Sequence, residues 1–264
     1  MKTKRQIPPE KYSREYLLSD NLEGFQEFKE RGLSYVKQLQ LDMLALQQGT
    51  TLLEVGIGRG EFLYHCALKG ARVTGIDYSP DALVVAKETL SEFPEADLRV
   101  ADSRDLPFGD NSFQRVCSGD VLEHMDIEDG AVMLKEMYRT LQPGGFMLVH
   151  TAPNTVFTRG IYPLARPVLK LLYSETIRTL EEHMEVNRGV HVHEYNLLSL
   201  RKVARMAGLT KAEICIGQDI LRSSKHRHTQ VIGTNPLVGL LASLGKLSAV
   251  RFLFGNDLYW RCYK

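Results

Sequence analysis

Hydrophobic residues change their spacing at Gly49. Before it, Phe25, Phe28, Leu33, Val36, Leu39, Leu41 and Leu44 recur at threes and fours, which predicts a helical cover running from Tyr12 to Gln48. Residues 1–10 read as a frayed basic tail closed by Pro8 and Pro9. After Gly49, short apolar runs take over, and Thr51–Val55, Arg72–Asp77, Leu98–Ala101, Phe113–Ser118 and Phe146–Thr151 read as strands. Helical stripes separate them: Leu63, Cys66 and Ala67 up to Gly70, then Val132, Met133, Met137 and Leu141. Ser79-Pro80-Asp81 opens another helix with a hydroxyl cap, a first-turn proline and an acid at the positive dipole end. Leu200, Val203, Ala204 and Ala207 stripe a helix stopped by Gly208, Ala212–Ile216 alternates as a sixth strand, and Leu258–Tyr263 supplies a seventh.

Strands alternating with helices imply right-handed crossovers and a sheet covered on both faces. The predicted fold is α/β: a Rossmann-like, doubly wound, seven-stranded, mostly parallel sheet with helices on both faces. Residues 1–48 form an N-terminal helical cap on a domain spanning 49–264. An insertion at about 154–195, longer than an ordinary α/β connection, forms a helical lid after strand five.

Such sheets bind ligands beyond the carboxyl ends of their strands, where the strand order reverses. Gly56-Ile57-Gly58-Arg59-Gly60 follows strand one, letting the backbone turn tightly beside a ligand at a helix N-terminus. This GxGxG, preceded by Glu54, differs from the GxGxxG that cradles a pyrophosphate. Glu54 would repel phosphates and suits a ligand carrying an amino group. Asp77 ends strand two, 17 residues after Gly60, where a carboxylate can accept from both hydroxyls of a ribose. A turn acid before Ser79 is the plainer alternative. Asp102 holds the equivalent place after strand three, and acids at three neighbouring strand ends are not readily explained as turn residues.

These residues resemble the class I S-adenosylmethionine-dependent methyltransferases. The likeness rests on Glu54-Val55-Gly56-Ile57-Gly58-Arg59-Gly60, Gly75-Ile76-Asp77-Tyr78-Ser79 and Ala101-Asp102-Ser103. Asp105-Leu106-Pro107-Phe108, Asp110, Ser112-Phe113, Leu122-Glu123-His124 and Leu141-Gln142-Pro143-Gly144-Gly145 are similar to the "methyltransferase domain 11", small-molecule branch. It covers roughly residues 50–152, and Gln114 departs from it by standing where an Asp usually follows Ser-Phe. The resemblance implies S-adenosylmethionine as cofactor. It puts the glycine turn (Gly56, Gly58, Gly60) under the methionine part, with Glu54 ordering it and its amino group. Asp77 would hold the ribose and Tyr78 would lie beside the adenine, whose amine Asp102 would accept with the Ser103 amide nearby. Gly119 and Asp120 would border the methyl group. The implied reaction is in-line methyl displacement, which needs alignment rather than a metal.

Histidines are the candidate proton acceptors, because they titrate near working pH. His124 stands four residues after Asp120, either facing the methyl group or tying its turn to a carbonyl. His150, inside strand five, reads as packed. His191-Val192-His193-Glu194 offers two histidines on one extended face, but with no third ligand in sight no metal is expected. His193 is taken instead as an acceptor-site residue, with solvent-exposed histidines as the alternative.

The charge balance narrows the function further. Lys and Arg total 33 against 32 acids, a net +1, so no global field gathers polyanions and a dedicated nucleic-acid binder is disfavoured. Four cysteines without CxxC spacing indicate neither a disulfide framework nor a zinc ribbon. The N-terminus has no apolar run behind its basic residues, which predicts a cytoplasmic location. Residues 221–228 are basic, and 236–255 are apolar with Lys246 and Arg251, a cover helix first and a weak membrane-surface contact second. The expected function is methyl transfer to an oxygen or nitrogen of a small-molecule acceptor. The alternatives are an RNA or lipid-linked substrate and a cofactor-binding module without catalysis.

Overall fold

The computed structural model describes residues 7–19, 32–172, 190–209, 211–216 and 257–264, with Ser174, Ile177, Arg178, Glu181 and Glu185 between. Seven strands, β1 (Thr51–Val55), β2 (Arg72–Asp77), β3 (Asp97–Val100), β4 (Phe113–Gly119), β5 (Leu141–Thr151), β6 (Ala212–Ile216) and β7 (Leu258–Tyr263), pair in the order β3-β2-β1-β4-β5-β7-β6. All neighbours are parallel except β7, which runs antiparallel to β5 and β6. This is the doubly wound, mostly parallel sheet that the alternation predicts.

The helices are α1 (Arg14–Leu17), α2 (Tyr35–Met43), α3 (Glu61–Leu68), α4 (Pro80–Thr89), α5 (Ile127–Thr140), α6 (Tyr162–Leu172) and α7 (Leu197–Met206). Successive strand residues point to opposite faces, so each strand feeds two cores. Leu53, Val55 and Val116 pack with Met133 and Met137 of α5 and Val203 of α7. Leu52 and Cys117 join Leu41 of α2, Leu63 of α3 and Leu83 of α4 on the other side. At roughly 1.5–3 kcal/mol per buried Leu-sized side chain, these two layers hold the strand tips in place.

The N-terminal cover is built from short helical pieces. Among the described residues it is a 3-10 turn at Pro9–Tyr12, then α1, then α2, which begins only after Gly32 at φ +77° and is capped by Ser34. Gly32 lies outside helical space, and the Ser34 hydroxyl accepts from the Lys37 amide at 3.4 Å, so α2 starts there. Nor is the tail frayed as far as residue 10. Ile7 is buried, its carbonyl accepts from the Tyr78 hydroxyl, and Ser79 Oγ donates to the Tyr12 carbonyl at 3.0 Å. Pro9 opens the 3-10 turn rather than ending a tail, because a proline nitrogen needs no partner at a first turn.

β5 also begins earlier than predicted: Leu141 pairs with Phe113 before the register shifts and Phe146 pairs with Arg115. Phe25 and Phe28, the basic stretch 221–228 and the apolar stretch 236–255 lie outside the described residues.

Candidate active site

The strand order reverses between β1 and β4, and the carboxyl ends of those strands open the crevice where ligands bind in such sheets. Glu54, the penultimate residue of β1, is buried between two covered faces. Its Oε2 has no hydrogen-bond partner among the described residues, and burial pushes its carboxyl well above the usual carboxylate range. A buried oxygen without a donor is costly, and a ligand that donates would satisfy it. The turn after it demands glycine. Gly56 sits at φ +81° and a Cβ there would meet Val121 Cγ2 at 2.2 Å, while Gly58, at φ +49°, has open space beside it.

Asp77 closes this turn from β2. Its Oδ2 accepts from the Gly58 amide at 2.9 Å and its Oδ1 from the Ser79 amide at 3.0 Å. Burial raises its pKa, and these amides pull it back. Each oxygen keeps one lone pair for a further donor. Tyr78 is half-buried, its ring edge-on to Tyr12 at 5.7 Å. Asp102 is gripped by Arg104, whose Nη2 lies 2.6 Å from Oδ2, and that pairing holds its carboxyl low. Half-buried Ser103 lies between them in sequence.

Across the crevice, Gly119 ends β4 and Asp120 follows at φ +56°, left-handed space that an aspartate enters at a cost. His150 of β5 anchors it. The imidazole is 2% exposed, with Nδ1 2.8 Å from Asp120 Oδ1 and Nε2 3.2 Å from Asp257 Oδ1. Nε2 hydrogen-bonds Asp257 and Nδ1 lies at ion-pair distance from Asp120, and a carboxylate at each ring nitrogen favours the cation. Burial alone would lower the His150 pKa, but Asp120 and Asp257 raise it to about 10.

The turn after β4 then carries Glu123 and His124. Glu123 is buried, accepts from Thr151 Oγ1 at 2.8 Å, and is pushed up to about 8 by burial and by Asp120. His124 Nδ1 lies 3.0 Å from the Val190 carbonyl, and burial lowers its pKa. The ring of His124 meets Tyr12 at 5.9 Å and His191 at 5.3 Å. His193 faces elsewhere, its ring 4.7 Å from that of Tyr195. The structure thus gathers His191, not His193, beside His124.

Sequence reasoning missed several residues of this crevice. From α2, Lys37 Nζ reaches Glu61 Oε1 at 2.5 Å, and buried Gln40 lies against Gly119, where a Cβ would sit 2.9 Å from its Oε1. Burial alone would raise Glu61, but Lys37 and Arg59 bring it down to about 2. A polar residue between Val36 and Leu44 on the apolar stripe was the one available signal for Gln40. Nothing local marks Tyr12 or Asp257.

Residues 53–149 match the family described as "Methyltransferase domain". The match runs from β1 to β5 and takes in the glycine turn and all three acids. The chain is 32% identical over 166 residues to a demethylmenaquinone methyltransferase of Staphylococcus aureus, covering 61% of this chain and 62% of that protein. The chain therefore aligns with about three-fifths of that relative's length. The domain's fold is also that of phosphoethanolamine N-methyltransferase 2 of Haemonchus contortus, solved with S-adenosyl-L-methionine (TM-score 0.56, 18% identity, 95% of this chain and 56% of that one). Geranyl diphosphate methyltransferase, also solved with that cofactor, superposes at TM-score 0.54 with 18% identity over 86% of this chain and 82% of that one. No helix among the described residues is long and apolar enough to cross a membrane.

Proposed function

We propose that this chain binds S-adenosylmethionine and transfers its methyl group to an oxygen or nitrogen of a small-molecule acceptor. The observation that carries the reading is the buried, partnerless Glu54 Oε2 beside a bare glycine turn, fitted to a cationic amino group. Glu54 and the turn Gly56, Gly58 and Gly60 hold the amino-acid part, Asp77 the ribose, and Tyr78, Asp102 and Ser103 the adenine. Gly119 and Asp120 flank the reacting end, Asp120 bringing negative charge toward the sulfonium. The bound cofactor supplies an electrophilic methyl group on a good leaving group. The chain's own work is alignment and the exclusion of water, which Tyr12 and the 190–195 segment supply from either side of His124.

His124 is the proton acceptor in this reading. A carbonyl can only accept, so Nδ1 carries the hydrogen and Nε2 presents its lone pair. His193, within that segment and packed against Tyr195, belongs to the acceptor side in this reading. Residues 1–48 serve as cap and 154–195 as lid. Calorimetry with S-adenosylmethionine and its demethylated product tests the first half, and absence of binding by the folded chain would falsify it. His124→Ala should lower turnover by about 10²–10⁴ while sparing cofactor affinity. Unchanged turnover would assign His124 to structure alone. A lipid-linked acceptor is the second reading, favoured by the exposed stripe Leu164, Val168 and Leu171 on α6.

A further inference from the structure

The turn after β4 and the segment returning from the insertion are stitched together at three points. The Val192 and His193 amides donate to the Glu123 carbonyl at 2.8 and 3.1 Å, and the His124 ring holds the Val190 carbonyl at 3.0 Å. These bonds bring Glu123, His124 and His191 together, with one ligand atom of each lying within 4.8 Å of the other two.

The surroundings of each side chain suit metal ligation. The carbonyl of Val190 takes the hydrogen of His124 Nδ1, which puts the lone pair on Nε2, the Asp120 carbonyl being the other backbone group at this ring. The Thr151 hydroxyl donates to Glu123 Oε2 at 2.8 Å, which orients that carboxylate. The Glu194 carboxylate lies 3.7 Å from His191 Nδ1, close enough to take that nitrogen's hydrogen after a small rotation. Metal-bound imidazoles are typically held in this way, by a carbonyl or carboxylate on the far nitrogen.

We propose that Glu123, His124 and His191 bind one divalent transition-metal ion of the zinc class. Two imidazoles and a carboxylate select Zn²⁺, Co²⁺ or Fe²⁺ over Mg²⁺ and Ca²⁺, which take oxygen ligands. Bonds of about 2.0–2.1 Å in a tetrahedral site put ligand atoms roughly 3.4 Å apart, so the trio closes by little more than an ångström. The sequence hid this site because its third ligand is not near the His191–His193 pair; the fold supplies two ligands from β4's turn and leaves His193 out. The ion joins the end of the insertion to the core. It also takes the His124 lone pair, so metal-loaded protein lacks the proton acceptor named above and methyl transfer is inhibited. That last consequence rests on the proposed function; binding does not.

The test is titration of untagged, chelator-treated, full-length protein with Co²⁺, followed by visible absorption, and with Zn²⁺ by calorimetry. One equivalent should bind. His191→Ala should weaken binding by about a hundredfold or more, with Glu123→Gln doing likewise and His193→Ala leaving it unchanged. Circular dichroism and product affinity establish that each variant is folded. Absence of a bound ion, or undiminished binding by folded His191→Ala, overturns the site. Zn²⁺ should abolish turnover and a chelator restore it. A bound ion with full turnover would leave the site standing and remove His124 as proton acceptor, so the two failures are distinct.

Discussion

The two rims of the crevice are built differently. On the β1–β3 side, each acid has a partner two residues away, the Ser79 amide for Asp77 and Arg104 for Asp102, and the Gly58 amide 19 residues from Asp77 is the longest reach. On the β4–β5 side the partners are remote. His150 meets Asp257 across 107 residues, His124 meets the Val190 carbonyl across 66, and Glu123 meets Thr151 across 28. The first rim is a motif and the second an assembly. The first rim needs only a strand, a turn and a cap, whereas the second is completed by Tyr12, Asp257 and the 190–195 segment packing onto the core.

The largest effect should come from breaking the assembled rim. His150→Asn removes a buried cation from between two acids, costing about 3 kcal/mol, the low end for such pairs because the Asp120 side chain is 46% exposed. Urea denaturation reads this directly, and a loss near zero would mean that the pair contributes nothing net. The pH profile sharpens it. His150 titrates at about 10 in the fold against roughly 6.5 unfolded. Its contribution is therefore complete below about pH 6.5 and is lost as the pH climbs toward 10. Burial would raise Asp120, but His150 holds it low, so the pair also weakens in strong acid. Lys37, His124 and Glu123 face the same charges and will share in the profile.

Next in size is the motif rim. Asp77→Ala should weaken S-adenosylmethionine binding by about 1.5–3 kcal/mol, the worth of one charge-assisted hydrogen bond, measured by calorimetry. It also strips the Gly58 and Ser79 amides of their acceptor, so the melting temperature should fall as well. Equal affinity with an intact fold would place the ribose elsewhere.

Gly56→Ala should cost about 1–3 kcal/mol, since the new methyl group strikes Val121. Adding Val121→Ala should recover the steric part and leave about 1–2 kcal/mol from the left-handed backbone. Full recovery would show that only the contact, not the φ of +81°, demands glycine.

The smallest effect belongs to neither rim. Gln114, the departure from the family pattern, exchanges two hydrogen bonds with Thr51 at 3.0 Å, at the opposite end of the strands from the crevice. Gln114→Ala should cost about 0.5–1.5 kcal/mol in stability and nothing in cofactor affinity.

Sequence reading reached the seven strands, the capped helix at Ser79 and the three acids because each depends on periodicity or a neighbour a few residues away. It ran Tyr12 to Gln48 together because a period of three and four persists across Gly32, whose φ of +77° is not helical. It ranked His193 above His191, since side chains two apart on an extended segment look equivalent until one neighbour is known to be a histidine and the other Tyr195.

By itself the sequence determined the sheet, its switch point and the motif rim, because hydrophobic burial and turn chemistry act locally along the chain. Only the tertiary structure decided that Asp120 and Asp257 share one imidazole, that α2 lays Gln40 against Gly119, and that the end of the insertion puts His191 beside His124. Those pairings bring together groups with no fixed spacing, and free energy selects them only after the strands have placed their tips.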